Sequence, residues 1–159
     1  GGAAAALRQW RDGGPRDPAL RERLDRPSPR VALGRALAGV ATACIDVSDG
    51  LVADLGHVCA ASGVGVRLDV DALPGREALL AHAPIERVRA LQATGGDDYE
   101  LCFTLPPDSS ALAAAVADAA ATGVAVTRVG VVVDGQGVEV GDGEGRPWRP
   151  GSRGHEHFA

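Results

Sequence analysis

The 159-residue sequence has no methionine and no lysine, so all 16 of its basic residues are arginine. Without lysine the chain holds no Walker-type phosphate loop, no protein-kinase nucleotide site and no Schiff-base nucleophile. The missing methionine leads to the expectation of a processed chain or a part of a longer one. Aromatic residues make up only 3%, which leaves Ala, Val and Leu to fill the core. Cys44, Cys59 and Cys102 form no CxxC pair. Their scatter suits reduced thiols in a cytoplasmic protein rather than a disulfide framework. No apolar run approaches the ~20 residues of a membrane-spanning helix, and the basic-then-apolar pattern of a secretory signal is missing. There is no GxSxG and no cysteine with an evident histidine partner, so no nucleophile constellation is expected.

What is present suffices for one domain with its own core, since 45% of the residues are apolar. The net charge of -5 argues against a nucleic-acid partner. That charge is uneven: residues 1–35 hold eight arginines against four acids, a local +4, and the remainder carries -9. The basic segment reads either as a surface for phosphate or an acidic partner, or as a solvated helical face.

Apolar spacing predicts helices over 3–11, 18–24 (capped by Asp17), 31–41, 50–62 (stopped by Gly63), 76–82, 84–93 and 109–121. The breaker RPSPR separates the second from the third. Alternation predicts strands at 64–70, at 99–105 with Tyr99, Leu101, Phe103 and Leu105 on one face, and at 124–133. The turn DGQG then predicts a hairpin in which VEV (138–140) pairs back. The tail from 141 onward, rich in Gly, Pro and Arg, reads as irregular, with Trp148 as a docking residue or a loop anchor. The order implies a single α+β domain over 1–159, with a helical lead-in over 1–41 and helices packed on a mixed or antiparallel sheet.

Two acidic stretches carry the chemistry. CIDVSDGLVADLG (44–56) places Asp46, Ser48 and Asp49 at the mouth of a helix. One reading is capping, with Ser48 or Asp49 accepting from a first-turn amide. The other is a cation site. In extended backbone Asp46 and Ser48 point the same way, and Asp49 follows at the turn, so two carboxylates and a hydroxyl face one spot suited to a hard divalent ion. GGDDYEL (95–101) puts Asp97 and Asp98 after two glycines, either as a polar turn or as a second half of the same site. The histidines are weaker candidates: His57 lies on a helix, His82 near a helix end, and His155 and His157 form an HxH in the tail, a metal clip or a mobile end.

Taken together, ACIDVSDGLVADLGHVCAASGVGVRLDVDALP and ATGGDDYELCFTLP, with RPSPRVALGRAL before them and GHEHF at the end, resemble the C-terminal half of the thiamine-monophosphate kinase family, part of the AIR-synthetase-like (PurM-like) superfamily. The resemblance implies transfer of the ATP γ-phosphoryl group to thiamine monophosphate, with Mg²⁺. It implies Asp46 and Asp49 as Mg²⁺ ligands, Ser48 as an ATP contact and Asp97 as a contact to the thiamine phosphate. His155 stands where the family carries an aromatic substrate contact. It also implies an N-terminal ATP-binding domain outside this chain, dimerisation through that domain, and negligible activity for this chain alone. Two alternatives stay open: another AIR-synthetase-like enzyme, such as a selenophosphate synthetase or a hydrogenase-maturation protein, and a non-catalytic module that binds a nucleotide or thiamine phosphate.

Overall fold

The structure is a computed structural model and describes residues 1–107, 121 and 123–150. Local chemistry sets most of the helices. In α1 (Gly2–Arg11), Ala3, Ala5 and Ala6 form a buried small-residue face. Asp17 starts α2 (Pro18–Asp25), its carboxylate accepting from the amides of Ala19 at 2.8 Å and Leu20 at 3.2 Å. Pro18 suits the first helical position, where an N–H would lack a helical partner. The third helix, α3 (Val31–Leu37), ends four residues earlier than its spacing predicts. Gly39 has φ 81°, a left-handed residue that stops the helix and turns the chain toward the sheet. α4 (Leu51–Ser62) ends at Gly63, also left-handed at φ 66°. α5 (Arg76–Leu80) and α6 (Ile85–Thr94) follow as a pair. The helix predicted over 109–121 lies outside the described residues except at its last position.

The strands form two small sheets. β1 (Ala43–Asp46) pairs antiparallel with β3 (Leu101–Thr104), Asp46 facing Leu101 and Ile45 facing Cys102. In the second sheet β2 (Gly65–Asp69) lies between β4 (Gly130–Val133) and β5 (Gly137–Gly141), antiparallel to the first and parallel to the second. The expected hairpin is therefore corrected: β5 does not pair back on β4, because β2 is inserted between them. The connecting turn crosses the start of β2 at Gly65, where a Cβ would lie 3.2–3.4 Å from Val133, Gly135 and Gln136. Val66 and Leu68 are buried, so a central place gives them cover that an edge would not.

Three apolar clusters hold these parts. Leu51, Leu55 and Cys59 of α4 pack on Val66, Leu68 and Val70. Ala5, Ala6, Leu20, Leu79 and Val88 join the four helices α1, α2, α5 and α6. Leu33 and Leu37 of α3 cover Leu101 and Phe103. The start of the tail is better tied than its composition suggests. Trp148 donates from its backbone to Val140 at 2.8 Å and from Nε1 to Glu86 at 3.1 Å, which makes it a loop anchor. Asp71 accepts from Arg76 at 2.6 Å, from Arg89 at 2.7 and 2.9 Å, and from the Gly143 amide at 3.0 Å. The Gly143 amide, followed by the two guanidinium groups, lowers its pKa to about 2. Among the described residues no helix is long and apolar enough to cross a membrane.

Candidate functional site

The two acidic turns, about fifty residues apart in sequence, are joined by backbone hydrogen bonds that continue the β1–β3 ladder. Val47 donates to the Glu100 carbonyl at 2.8 Å, Tyr99 donates to the Val47 carbonyl at 3.0 Å, and Asp97 donates to the Ser48 carbonyl at 2.9 Å. Glycine makes this approach possible. A Cβ on Gly96 would sit 2.3 Å from the Ser48 carbonyl oxygen, and one on Gly50, at φ 118°, would sit 2.6 Å from that of Thr94.

Asp46 lies exposed at the end of β1, followed by buried Val47 and half-buried Ser48 and Asp49. That alternation keeps Asp46 and Ser48 on the outer side, as extended backbone requires. α4 begins after Gly50, so neither Ser48 nor Asp49 occupies its N-cap position. Instead Asp54, 2% exposed, turns back from the first turn of the helix. Its Oδ2 accepts from the amides of Ser48 at 3.0 Å and of Asp49 and Gly50 at 3.2 Å each. One buried carboxylate thus satisfies three backbone donors of the loop. Sequence reasoning passed over Asp54. Its signal was an acid four residues after the loop glycine, where a first helical turn can reach back.

The second turn separates its two acids. Asp98 points inward and accepts from the Ala3 amide at 3.0 Å, so it serves the first turn of α1. Asp97 is exposed and left-handed at φ 64°, and Tyr99 is left-handed at φ 50°. Two such residues store strain of roughly 1–3 kcal/mol each, commonly found where a site imposes the conformation. The predicted strand face is corrected here: Leu101 and Phe103 join the α3 cluster, while Tyr99 leaves their face and is 40% exposed. Its hydroxyl donates to Asp97 at 3.4 Å. The charge of Asp97 raises the phenol pKa most, followed by burial and the Asp97 hydrogen bond, with smaller contributions from Asp46 and Asp49. The hydroxyl contact and the backbone bonds set Asp97 and Tyr99 against the Val47–Ser48 segment.

The following residue locks the turn from behind. Glu100 receives a bidentate fork from Arg30, both contacts at 2.7 Å, with Arg23 at 3.6 Å. The Arg30 bonds hold the Glu100 carboxyl below its usual range. Part of the basic lead-in is thus used internally, Arg30 and Arg23 on Glu100 and Arg21 on Asp25. His57 is exposed on α4, and His82 bonds Asp17 at 2.9 Å. Burial, the largest cause, pushes the Cys102 thiol up to about 11, which leaves it unreactive at neutral pH. His155 and His157 lie outside the described residues.

Among the described residues no group of three or more His, Cys, Asp or Glu side chains closes on a single point as a metal cage. Asp46 and Asp49 instead offer hard oxygen donors in ones and twos. That suits Mg²⁺, which takes one or two carboxylates and completes its shell with water and substrate phosphate.

An α+β domain that binds its own acidic turns into one face is the class defined so far. The model of the family described as "AIR synthase related protein, C-terminal domain" matches residues 1–143, and the chain belongs to that family. It is similar to the thiamine-monophosphate kinase of Salmonella typhimurium, 42% identical over 136 residues, covering 84% of this chain and 41% of the relative. Among solved structures it is similar to the thiamine-monophosphate kinase of Stenotrophomonas maltophilia, with TM-score 0.81 and 42% identity over 93% of this chain and 48% of the other. It is also similar to AaThiL complexed with AMPPCP and TMP, with TM-score 0.74 and 26% identity over 99% of this chain and 48% of that one. The chain spans less than half the length of these relatives.

Proposed function

We propose that this chain is the substrate-side domain of a cytoplasmic, Mg²⁺-dependent kinase that transfers the γ-phosphoryl group of ATP to thiamine monophosphate, giving thiamine diphosphate and ADP. The observation that carries the reading is the junction of the two acidic turns through the Asp97–Ser48 backbone bond. Asp46 and Asp49 would hold Mg²⁺, which supplies neutralisation of the charge between the two phosphate-bearing ligands. Ser48 would contact ATP through its hydroxyl, and Asp97 would contact thiamine monophosphate, with His155 as a further contact from the tail. The bond between the β- and γ-phosphates breaks as one forms to a phosphate oxygen that is already deprotonated. No protein nucleophile or base is required, and the protein's task is positioning and electrostatics. The remaining ligands, and the dimer contact, would come from an N-terminal domain outside this chain.

The test is product formation by the full-length natural protein, with ATP, Mg²⁺ and thiamine monophosphate, followed by chromatography for thiamine diphosphate. Wild type is expected to form product, and Asp46→Ala to lose about 100-fold or more with unchanged circular dichroism. A folded wild-type protein that forms none would overturn the proposal.

A further inference from the structure

We propose that Tyr99 and Asp97 recognise a positively charged heteroaromatic ring attached to the phosphate that the site receives. The inference rests on the kinase reading and adds the residues that select the organic part of the acceptor. Three observations lead there. The strand pattern would bury Tyr99 beside Leu101 and Phe103, yet the backbone turns left-handed at Asp97 and Tyr99 and sets the ring out at 40% exposure. The Tyr99 hydroxyl donates to Asp97 at 3.4 Å, and the Tyr99 backbone amide bonds the Val47 carbonyl, beside Asp46 and Ser48 in the chain. The other aromatic residues described are engaged or placed elsewhere: Phe103 in the α3 cluster, Trp148 on Glu86, and Trp10 on α1.

An aromatic face beside a carboxylate attracts cations through the ring quadrupole and the carboxylate charge. It offers little to a neutral ring and repels a bare phosphate. A ligand joining a cationic ring to a phosphate fits this surface at both ends. The ring meets Tyr99 and Asp97, and the phosphate lies toward the Mg²⁺ that Asp46 and Asp49 would hold.

The experiment compares kcat/KM of the full-length protein for thiamine monophosphate and for its neutral analogue, in which carbon replaces the charged ring nitrogen. The within-variant ratio cancels losses of folded protein. Wild type is expected to favour the cationic substrate by about tenfold, between the values of an exposed and a fully desolvated cation–π contact. Tyr99→Phe keeps that preference, Tyr99→Leu lowers it to about twofold, and KM for ATP is unchanged in both. Tyr99→Leu with the wild-type ratio, or a wild type that does not discriminate, overturns the inference and leaves the kinase reading standing. A folded wild type that uses neither substrate overturns both.

Discussion

Asp54 is the residue on which the geometry of the opening acidic turn depends, and its replacement gives the sharpest test of the reasoning. Its Oδ2 is shared by three backbone donors, the amides of Ser48, Asp49 and Gly50. A hydrogen bond to a charged group contributes about 1.5–3 kcal/mol net. Three donors on one oxygen are not additive, so the sum overstates the loss. Asp54→Ala is expected to destabilise the protein by about 3–4 kcal/mol, a large part of the roughly 5–15 kcal/mol typical of a domain. Asp54→Asn keeps the shape and one carbonyl acceptor but no charge, and is expected to cost about 2 kcal/mol. Urea unfolding followed by circular dichroism at pH 7 measures both. Hydrogen exchange at the three amides gives a local readout: protection in wild type, loss in Asp54→Ala beyond the global change. A destabilisation below about 1 kcal/mol, with the amides still protected, would refute the assignment of Asp54 as the organiser of this turn.

Two further outcomes follow from the same geometry. Gly96→Ala puts a Cβ 2.3 Å from the Ser48 carbonyl oxygen, and is expected to cost about 2–4 kcal/mol in urea unfolding and to weaken Mg²⁺ binding measured by calorimetry. Asp71 has its pKa lowered to about 2, first by the Gly143 amide. A depressed carboxylate contributes stability that is present above its unfolded value of ~3.9 and lost as pH falls toward about 2. The full linkage value is about 2.5 kcal/mol, which screening at this partly exposed position reduces to about 1 kcal/mol. The difference in unfolding midpoint between wild type and Asp71→Asn should therefore shrink between pH 5 and pH 2, and a constant difference would disprove the linkage.

The sequence made legible those features whose cause is local. Asp17 followed by Pro18 announces a helix start, and Gly63 a stop, because each acts within one turn of chain. The pairing of acids with a hydroxyl before α4 was visible for the same reason. The VEV segment was misread because a turn signal says that the chain reverses, and not which strand it finds on returning; β2, more than sixty residues earlier, is the partner. Tyr99 was misread because alternation assumes continuous extended backbone, and no residue type marks a left-handed aspartate or tyrosine in advance. Asp97 and Asp98 look equivalent in a string of letters. Only the packing of α1 against the turn assigns one to the surface and the other to the helix end.

The ladder that joins the acidic turns also sets a schedule for biosynthesis. Residues 43–50 leave the ribosome well before residues 96–104, and β2 precedes both of its partners by a still longer stretch. Non-local pairings of this kind form late, after the closure entropy of the intervening chain has been overcome. The nascent polypeptide therefore carries its two acidic turns apart until the downstream one is made. The acidic face is complete only when the downstream turn closes over Ser48, so a ligand of the kind proposed would meet it only in the finished fold.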